Sequence, residues 1–274
     1  MKKYQVLLMT LAGRQPLPWA TILGDTLTIW WGEWLDLRVR IWQLLASGLV
    51  APLVYILAFG VGLGSSLSRS AALTGGAGSY LLFILPGMVA LSGMTISFAG
   101  TTFSICGDRL FSKTFEELLL LPVHPLALHL GKMLAGVTRG MVTALGVMIL
   151  GAVMTQNLNL LHPGVFALLA LDCAVFAGAG VVAGLNVPSI ESVGLLINFL
   201  ITPMSFLGAT FFDPATLPLP MQILVYALPL THASLGIRAV VLGLPFPWVS
   251  LVVLLLMATG LALWGAYQFS HQQD

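Results

Sequence analysis

Six apolar stretches, at residues 44–64, 80–105, 126–154, 164–185, 193–212 and 247–269, leave this chain little freedom in what it can become. A helix needs roughly 20 residues to cross a hydrocarbon layer of about 30 Å, and each stretch meets that length. Lipid offers no water to pair stray backbone N–H and C=O groups, so helices are the form such stretches take. The pattern predicts an all-α integral membrane protein with six transmembrane helices. The third stretch is long enough to tilt or to project beyond the bilayer. Composition agrees: 58% of residues are apolar and 8% charged, against about a quarter charged in soluble chains. Repeats, low-complexity tracts and a separate soluble domain are all lacking.

The basic residues set an orientation. With both termini cytoplasmic, Lys2, Lys3, Arg14, Arg38, Arg40, Arg109, Lys113, Lys132 and Arg139 fall inside, and only Arg69 and Arg238 fall outside. Lys132 and Arg139 occupy the first turns of the third stretch, where they can snorkel towards the cytoplasm or face a vestibule. Lys2 and Lys3 precede a short apolar run at 6–12, but Arg14, Pro16 and Pro18 follow it where a signal peptide would have a small-residue cleavage site. That predicts a retained cytoplasmic tail. The expected organisation is a tail and interfacial helix over 1–43, then a six-span domain over 44–274.

Ahead of the first span, Leu27, Trp30, Trp34, Leu37 and Ile41 recur at helical spacing, while Glu33, Asp36, Arg40 and Gln43 follow the opposite face. This predicts an amphipathic helix with an Asp36–Arg40 pair four residues apart. Trp30, Trp31, Trp34 and Trp42 suit the headgroup layer. The alternative is that the segment extends the first membrane helix.

Between the second and third spans, Ser112 or Thr114 can cap a short helix with Glu116 and Glu117 in its first turn. Pro122 and Pro125 then end it and redirect the chain. Such a helix is what a permease needs to receive a push from a motor; an ordinary connector is the other reading. After the fifth span, residues 211–232 are too apolar for a free loop and too rich in proline for a straight span. Asp213-Pro214 can open a turn and cap a helix, which predicts short helices at 214–218 and 220–227 dipping into the outer leaflet. Phe211 and Phe212 would form a constriction at their mouth. A surface-lying hairpin is the alternative.

Gly178, Gly180 and Gly184 permit close helix packing. Asp172 is the one acid deep in a predicted span; a helix–helix hydrogen bond or a wet crevice explains it more simply than a proton relay. Cys106 and Cys173 suggest neither a disulfide nor a metal site, and His124 and His129 are not spaced as zinc ligands. Gly131-Lys132 is followed by Met133, so it is no phosphate loop, and catalytic serine or zinc-protease motifs are missing. The chain is expected to be non-catalytic.

Several pieces then occur in order on this topology. They are Pro52-Leu-Val-Tyr-Ile-Leu-Ala-Phe-Gly-Val-Gly-Leu-Gly, Leu85-Pro-Gly-Met-Val-Ala, Thr114-Phe-Glu-Glu-Leu-Leu and Gly131-Lys. Ile201-Thr-Pro-Met-Ser-Phe-Leu-Gly-Ala-Thr-Phe-Phe, Leu217-Pro and Leu228-Pro-Leu-Thr-His follow. Together they run through almost the whole chain, which resembles the permeases of type-2 ATP-binding-cassette exporters, especially the nodulation-factor (lipo-oligosaccharide) branch. The resemblance implies a homodimer in a bacterial-type cytoplasmic (inner) membrane, with two cytoplasmic ATPase subunits that carry the ATP and magnesium. Membrane lipid is the other implied partner; nucleic acid is not one, and this chain needs no cofactor of its own.

It also implies that Lys113, Thr114, Phe115, Glu116, Glu117, Leu118 and Leu119 form the helix that couples to the ATPase, with Glu116 where the family usually has Glu. Phe211, Phe212, Asp213, Pro214, Leu217 and Pro218 would belong to the outer re-entrant segment that gates the exit. Many relatives have Thr-Pro where this chain has Leu121-Pro122, so a threonine contact there does not carry over. The implied function is export of an amphipathic lipid, glycolipid or lipo-oligosaccharide-like cargo, powered by the separate ATPase. From the residues alone, a proton-coupled secondary transporter or channel using Asp172 stays open.

Overall fold

The computed structural model describes residues 19–58, 77–120 and 123–273. The tail with Lys2, Lys3, Arg14 and the run at 6–12 lies outside the described residues, as do Gly60, Gly62, Gly64, Arg69 and the Leu121-Pro122 pair.

Every element is helical among the described residues. Helix α1 (Trp19–Val39) begins well before the periodicity that starts at Leu27, and it ends at a break on Arg40. Helix α2 (Ile41–Tyr55) then opens the first span, so the segment before it is a helix of its own. The long α3 (Ala77–Gly107) runs into a π turn, Asp108–Ser112, and α4 (Thr114–Leu120) follows on Lys113, whose φ of 55° reverses the chain. Helix α5 (Pro125–Thr155) and helix α6 (Pro163–Asn186) start alike. In each, a proline stands in the first turn, where its missing N–H costs nothing. The preceding His124 or His162 accepts a backbone N–H through Nδ1 at 3.1 Å.

The fifth span is assembled from α7 (Ile190–Leu196), a π turn at Ile197–Ile201 and α8 (Thr202–Leu207). A 3-10 turn at Pro214–Thr216 leads into α9 (Leu219–Tyr226), and α10 (Pro229–Val241) turns away from α9 by 89°. Helix α11 (Trp248–Gln273) closes the chain.

Six helical segments among the described residues are long and apolar enough to cross a membrane: Ile41–Ala58, Tyr80–Ser112, Pro125–Thr155, Pro163–Asn186, Ile190–Leu207 and Trp248–His271. They coincide with the six predicted stretches. The core forms where α3, α5, α6 and α10 meet, around Leu85, Met88, Met94, Phe98, Met148 and Leu168. Helix α3 is largely buried, whereas few residues of the first and fifth spans are buried. Helices α3 and α6 pack closely. A Cβ on Gly180 would lie 2.7 Å from the Phe98 carbonyl, and one on Gly184 2.9 Å from Ile105 Cβ. Those two glycines therefore pack helices, as their spacing suggests.

Helix α10 is an element the sequence reading missed. The sequence reading assigned no element to 229–241, yet Thr231, His232, Ser234 and Arg238 are all buried in it. Its corner with α9 is stable because freed carbonyls find side chains: Thr231 Oγ1 donates to the Val225 carbonyl at 2.6 Å, and His232 Nε2 lies 2.9 Å from the Tyr226 carbonyl.

Candidate functional site

Two regions at opposite ends of the bundle concentrate the polar chemistry. At the α4 end, α1 lies against α5, and the predicted polar face of α1 does not face water throughout. The Glu33 side chain, 15% exposed, inserts between two cations that stand two turns apart on α5. Its Oε1 accepts from Lys132 Nζ, and its Oε2 accepts from Arg139 Nη2 at 2.6 Å and from Ser104 Oγ at 3.3 Å. Lys132 also donates to Asp108 Oδ2 at 2.5 Å, and Arg139 to the Gly100 carbonyl at 3.0 Å.

Two carboxylates thus meet two cations. Desolvation costs several kcal/mol per buried ion and is offset only when each ion is well paired. Burial alone would raise the Glu33 carboxyl, but Lys132 and Arg139 beside it outweigh that and hold it below its ordinary value. Lys132 and Arg139 are therefore paired with carboxylates and bind α1 to the bundle, and Lys132 also borders a cleft between α1 and α4. Trp30 adds an indole N–H to Thr138 Oγ1 at 2.9 Å and stacks on Trp34 with ring centres 6.4 Å apart. The predicted Asp36–Arg40 pair forms at 3.6 Å on the exposed side of α1.

Helix α4 is fastened next to this cluster. Thr114 Oγ1 donates to Asp108 Oδ1 at 3.4 Å, and Ser112 and Thr114 share a hydrogen bond at 2.9 Å. Phe115 is buried against Phe269 of α11 at 5.9 Å between ring centres, with the Arg109 guanidinium 6.0 Å from its own ring. Glu116 and Glu117 stay exposed, Leu118 is half-buried and Leu120 points outward. A cleft of about 630 Å³ separates α4 from α1, walled by Thr28, Glu33, Asp108, Glu117 and Lys132.

At the α9 end, Phe211 packs on Tyr55 of the first span at 5.7 Å and on Phe206 at 6.2 Å, with Phe212 half-buried beside it. Asp213 Oδ1 accepts the Ala215 N–H at 3.0 Å, so the predicted turn and cap form. Pro214 is buried, Leu217 half-buried and Pro218 exposed. Behind this mouth lies Arg238 of α10. It is buried, where the sequence reading counted it simply as an outer charge. Its Nε donates to the Phe83 carbonyl at 2.9 Å, and its Nη2 to the carbonyls of Ala209 and Thr210 at 2.8 and 3.2 Å.

Residues 25–242 match the ABC-2 type transporter family. The chain belongs to that family. The permease is 28% identical over 217 residues to the inner membrane transport permease YadH of Escherichia coli (strain K12), covering 78% of this chain and 82% of YadH. It is 32% identical over 203 residues to nodulation protein J of Rhizobium leguminosarum bv. trifolii, covering 73% of this chain and 75% of the relative. Nodulation protein J of Rhizobium meliloti (strain 1021) is 30% identical over 207 residues, covering 75% and 76%. With six apolar helices and these relatives, the permease is a multi-pass inner membrane protein.

In the permease, the residues singled out at 113–119 and at 211–218 lie at opposite ends of the bundle. Of the residues singled out ahead of the first span, Trp30 reaches α5 through Thr138, Trp34 stacks on Trp30, and Asp36 and Arg40 pair on the exposed side. Asp172 lies between the ends on α6 and faces α3: a Cβ on Gly93 would sit 3.5 Å from its Oδ2. Neither carboxyl oxygen has a hydrogen-bond partner among the described residues, so the expected helix–helix hydrogen bond is not what holds it. Sequence reasoning missed the Glu33 cluster and the contacts of Arg238. A signal for the first was present: Lys132 and Arg139 are seven apart, which places them on one face of α5.

Proposed function

We propose that this permease is the membrane half of an exporter driven by a separate cytoplasmic ATPase, working as a pair of identical copies with two such ATPase subunits. The observation that carries this reading is α4: a short helix anchored by buried Phe115, yet presenting Glu116 and Glu117 outward. A pushed surface needs both features, an exposed contact and a rigid mount. Helix α4 is the coupling helix in this reading, and ATP and magnesium reside on the partner.

The α4 end faces the cytoplasm, with both termini on that side, in keeping with the excess of Lys and Arg there. Residues 1–43 form a tail and an interfacial helix, where exposed Trp31, with Trp42 in the first turn of α2, suits the headgroup layer, and 44–274 form the transmembrane domain. Phe211, Phe212, Asp213, Pro214, Leu217 and Pro218 gate the exit, with α9 as a re-entrant helix in the outer leaflet. Its exposed Leu219, Ile223 and Leu224 favour lipid over water there. The exposed apolar faces of the first and fifth spans are where the second copy and lipid pack. The cargo is amphipathic, of the lipid, glycolipid or lipo-oligosaccharide class. This rests on the nodulation-factor resemblance and on an apolar groove of about 470 Å³ between α6, α7 and α11.

Co-expression with candidate ATPase subunits tests the proposal. A complex with vanadate-sensitive ATP hydrolysis is expected, and Glu116→Arg should lower ATP-coupled transport while leaving membrane insertion intact. Failure of any ATPase subunit to associate in membranes would defeat the reading.

A further inference from the structure

Arg238 is 5% exposed, and its contacts are unusual for a buried cation. No carboxylate lies within ion-pair distance of it among the described residues. Its partners are instead the three carbonyls of Phe83, Ala209 and Thr210, and the face of the Phe83 ring, 3.9 Å from the guanidinium carbon. A desolvated cation over an aromatic face is stabilised by the ring's quadrupole, without adding a counter-charge. Nη1 has no partner at all among the described residues.

What Arg238 holds is a strained stretch. Ala209 sits at φ 56°, the left-handed region, where a Cβ crowds the following carbonyl oxygen. Thr210 is pressed onto α3 so closely that a Cβ on Gly87 would lie 2.7 Å from Thr210 Cα. A Cβ on Gly208, one residue before Ala209, would collide with Leu230 of α10. These residues immediately precede Phe211-Phe212. The stretch is thus bent and tightly packed, and one guanidinium spans it.

We propose that Arg238 is the latch of the exit: it holds 208–210 against α3 and α10 while the mouth is closed, and lets go when α3 shifts. Neutral contact partners suit a latch: the carboxylate whose charge reaches Arg238, that of Asp213, is exposed and outside ion-pair distance, so release buries no orphaned anion. Helix α3 carries Phe83 near one end and leads directly into Asp108 at the other. At 1.5 Å per residue these positions are roughly 37 Å apart on one element, so a push at the α4 end reaches the latch through α3. The inference rests on the gate reading given under Proposed function.

Thr210→Cys supplies the reporter. Thr210 is wholly buried and its hydroxyl has no partner, so the thiol forfeits no hydrogen bond, and the native Cys106 and Cys173 are buried. The reporter is treated in proteoliposomes with a membrane-impermeant maleimide from the α9 side, without nucleotide. Arg238→Met should raise its labelling about tenfold, the loss of one net charge-assisted bond. Arg238→Lys, which keeps the charge but not the fork, should fall between. Retention on size exclusion and resistance to trypsin identify folded variants.

Should Arg238→Met fail to fold, Arg238→Lys decides alone. A folded Lys variant, or a folded Met variant, that labels at the unmodified rate overturns the latch. A separate arm adds the ATPase partner and vanadate-trapped nucleotide to the reporter with Arg238 intact. Faster labelling there with no effect of either Arg238 variant defeats the latch and spares the gate; no nucleotide response defeats the gate reading itself.

Discussion

Lys132 and Arg139 at the α4 end are buried beside Glu33 and Asp108, whereas Arg238 at the α9 end is buried beside carbonyls and a phenyl ring. Both arrangements keep a cation out of water, but they answer differently to disturbance. In the first, every ion depends on an opposite ion, so moving any one strands another in low dielectric. In the second, the partners are neutral and find substitutes in water or in the backbone. A part meant to stay fixed suits the first chemistry, and a part meant to yield suits the second.

The largest expected effect comes from breaking the first arrangement. Glu33→Ala leaves Arg139 without a carboxylate and Lys132 with one, and truncating a single partner of a buried ion pair costs about 3–5 kcal/mol. Thermal unfolding in detergent should show that loss, and a change within error would mean the cluster is not a strap. The same carboxyl gives a pH signature. Because it is held below its ordinary value in the fold, its contribution is present above the unfolded carboxylate range and is lost as pH falls through the depressed folded value. The stability gap between the unmodified permease and Glu33→Gln should therefore close on acidification.

Arg238→Met should cost less, about 1–3 kcal/mol for carbonyls left short of a donor, while loosening the mouth more than any change in the Glu33 cluster. If it destabilises the fold as much as Glu33→Ala does, the distinction between the two ends collapses. Asp172→Asn sharpens the comparison from between them. Asp172 has neither a counter-ion nor a hydrogen-bond donor among the described residues, and its amide isostere should leave ATP-coupled transport unchanged. Lost transport would point to a proton-coupled mechanism. Smallest of all is Asp36→Asn: the Asp36–Arg40 pair is 60% and 68% exposed, and such pairs contribute about 0–1 kcal/mol.

Much of this architecture was legible from residue order. Span length and apolar run placed all six membrane helices, and acids with flanking prolines marked a short helix from Lys113, found at Thr114–Leu120. Hidden parts share one physical cause: a buried polar residue looks like a surface one until its partner is known. Glu33 lies on the same stripe of α1 as buried Ile22, Thr26 and Leu37, yet its charge assigns it to water in any reading by polarity. Arg238 misleads in the same way, and with Thr231, His232 and Ser234 it makes 229–241 too polar to stand out as a membrane-embedded helix. Pro229, suited to a helix first turn, was the clue there.

Spin labels test the division of labour most directly. One pair, at Trp31 of α1 and Leu120 of α4, crosses the α4 end; another, at Ala215 and Leu244, crosses the α9 end, all four being exposed positions. Distances are measured in the complex with its ATPase subunits, nucleotide-free and vanadate-trapped. The account predicts an unchanged first distance and a shifted, broadened second one. A first distance that changes while the second stays fixed would contradict it.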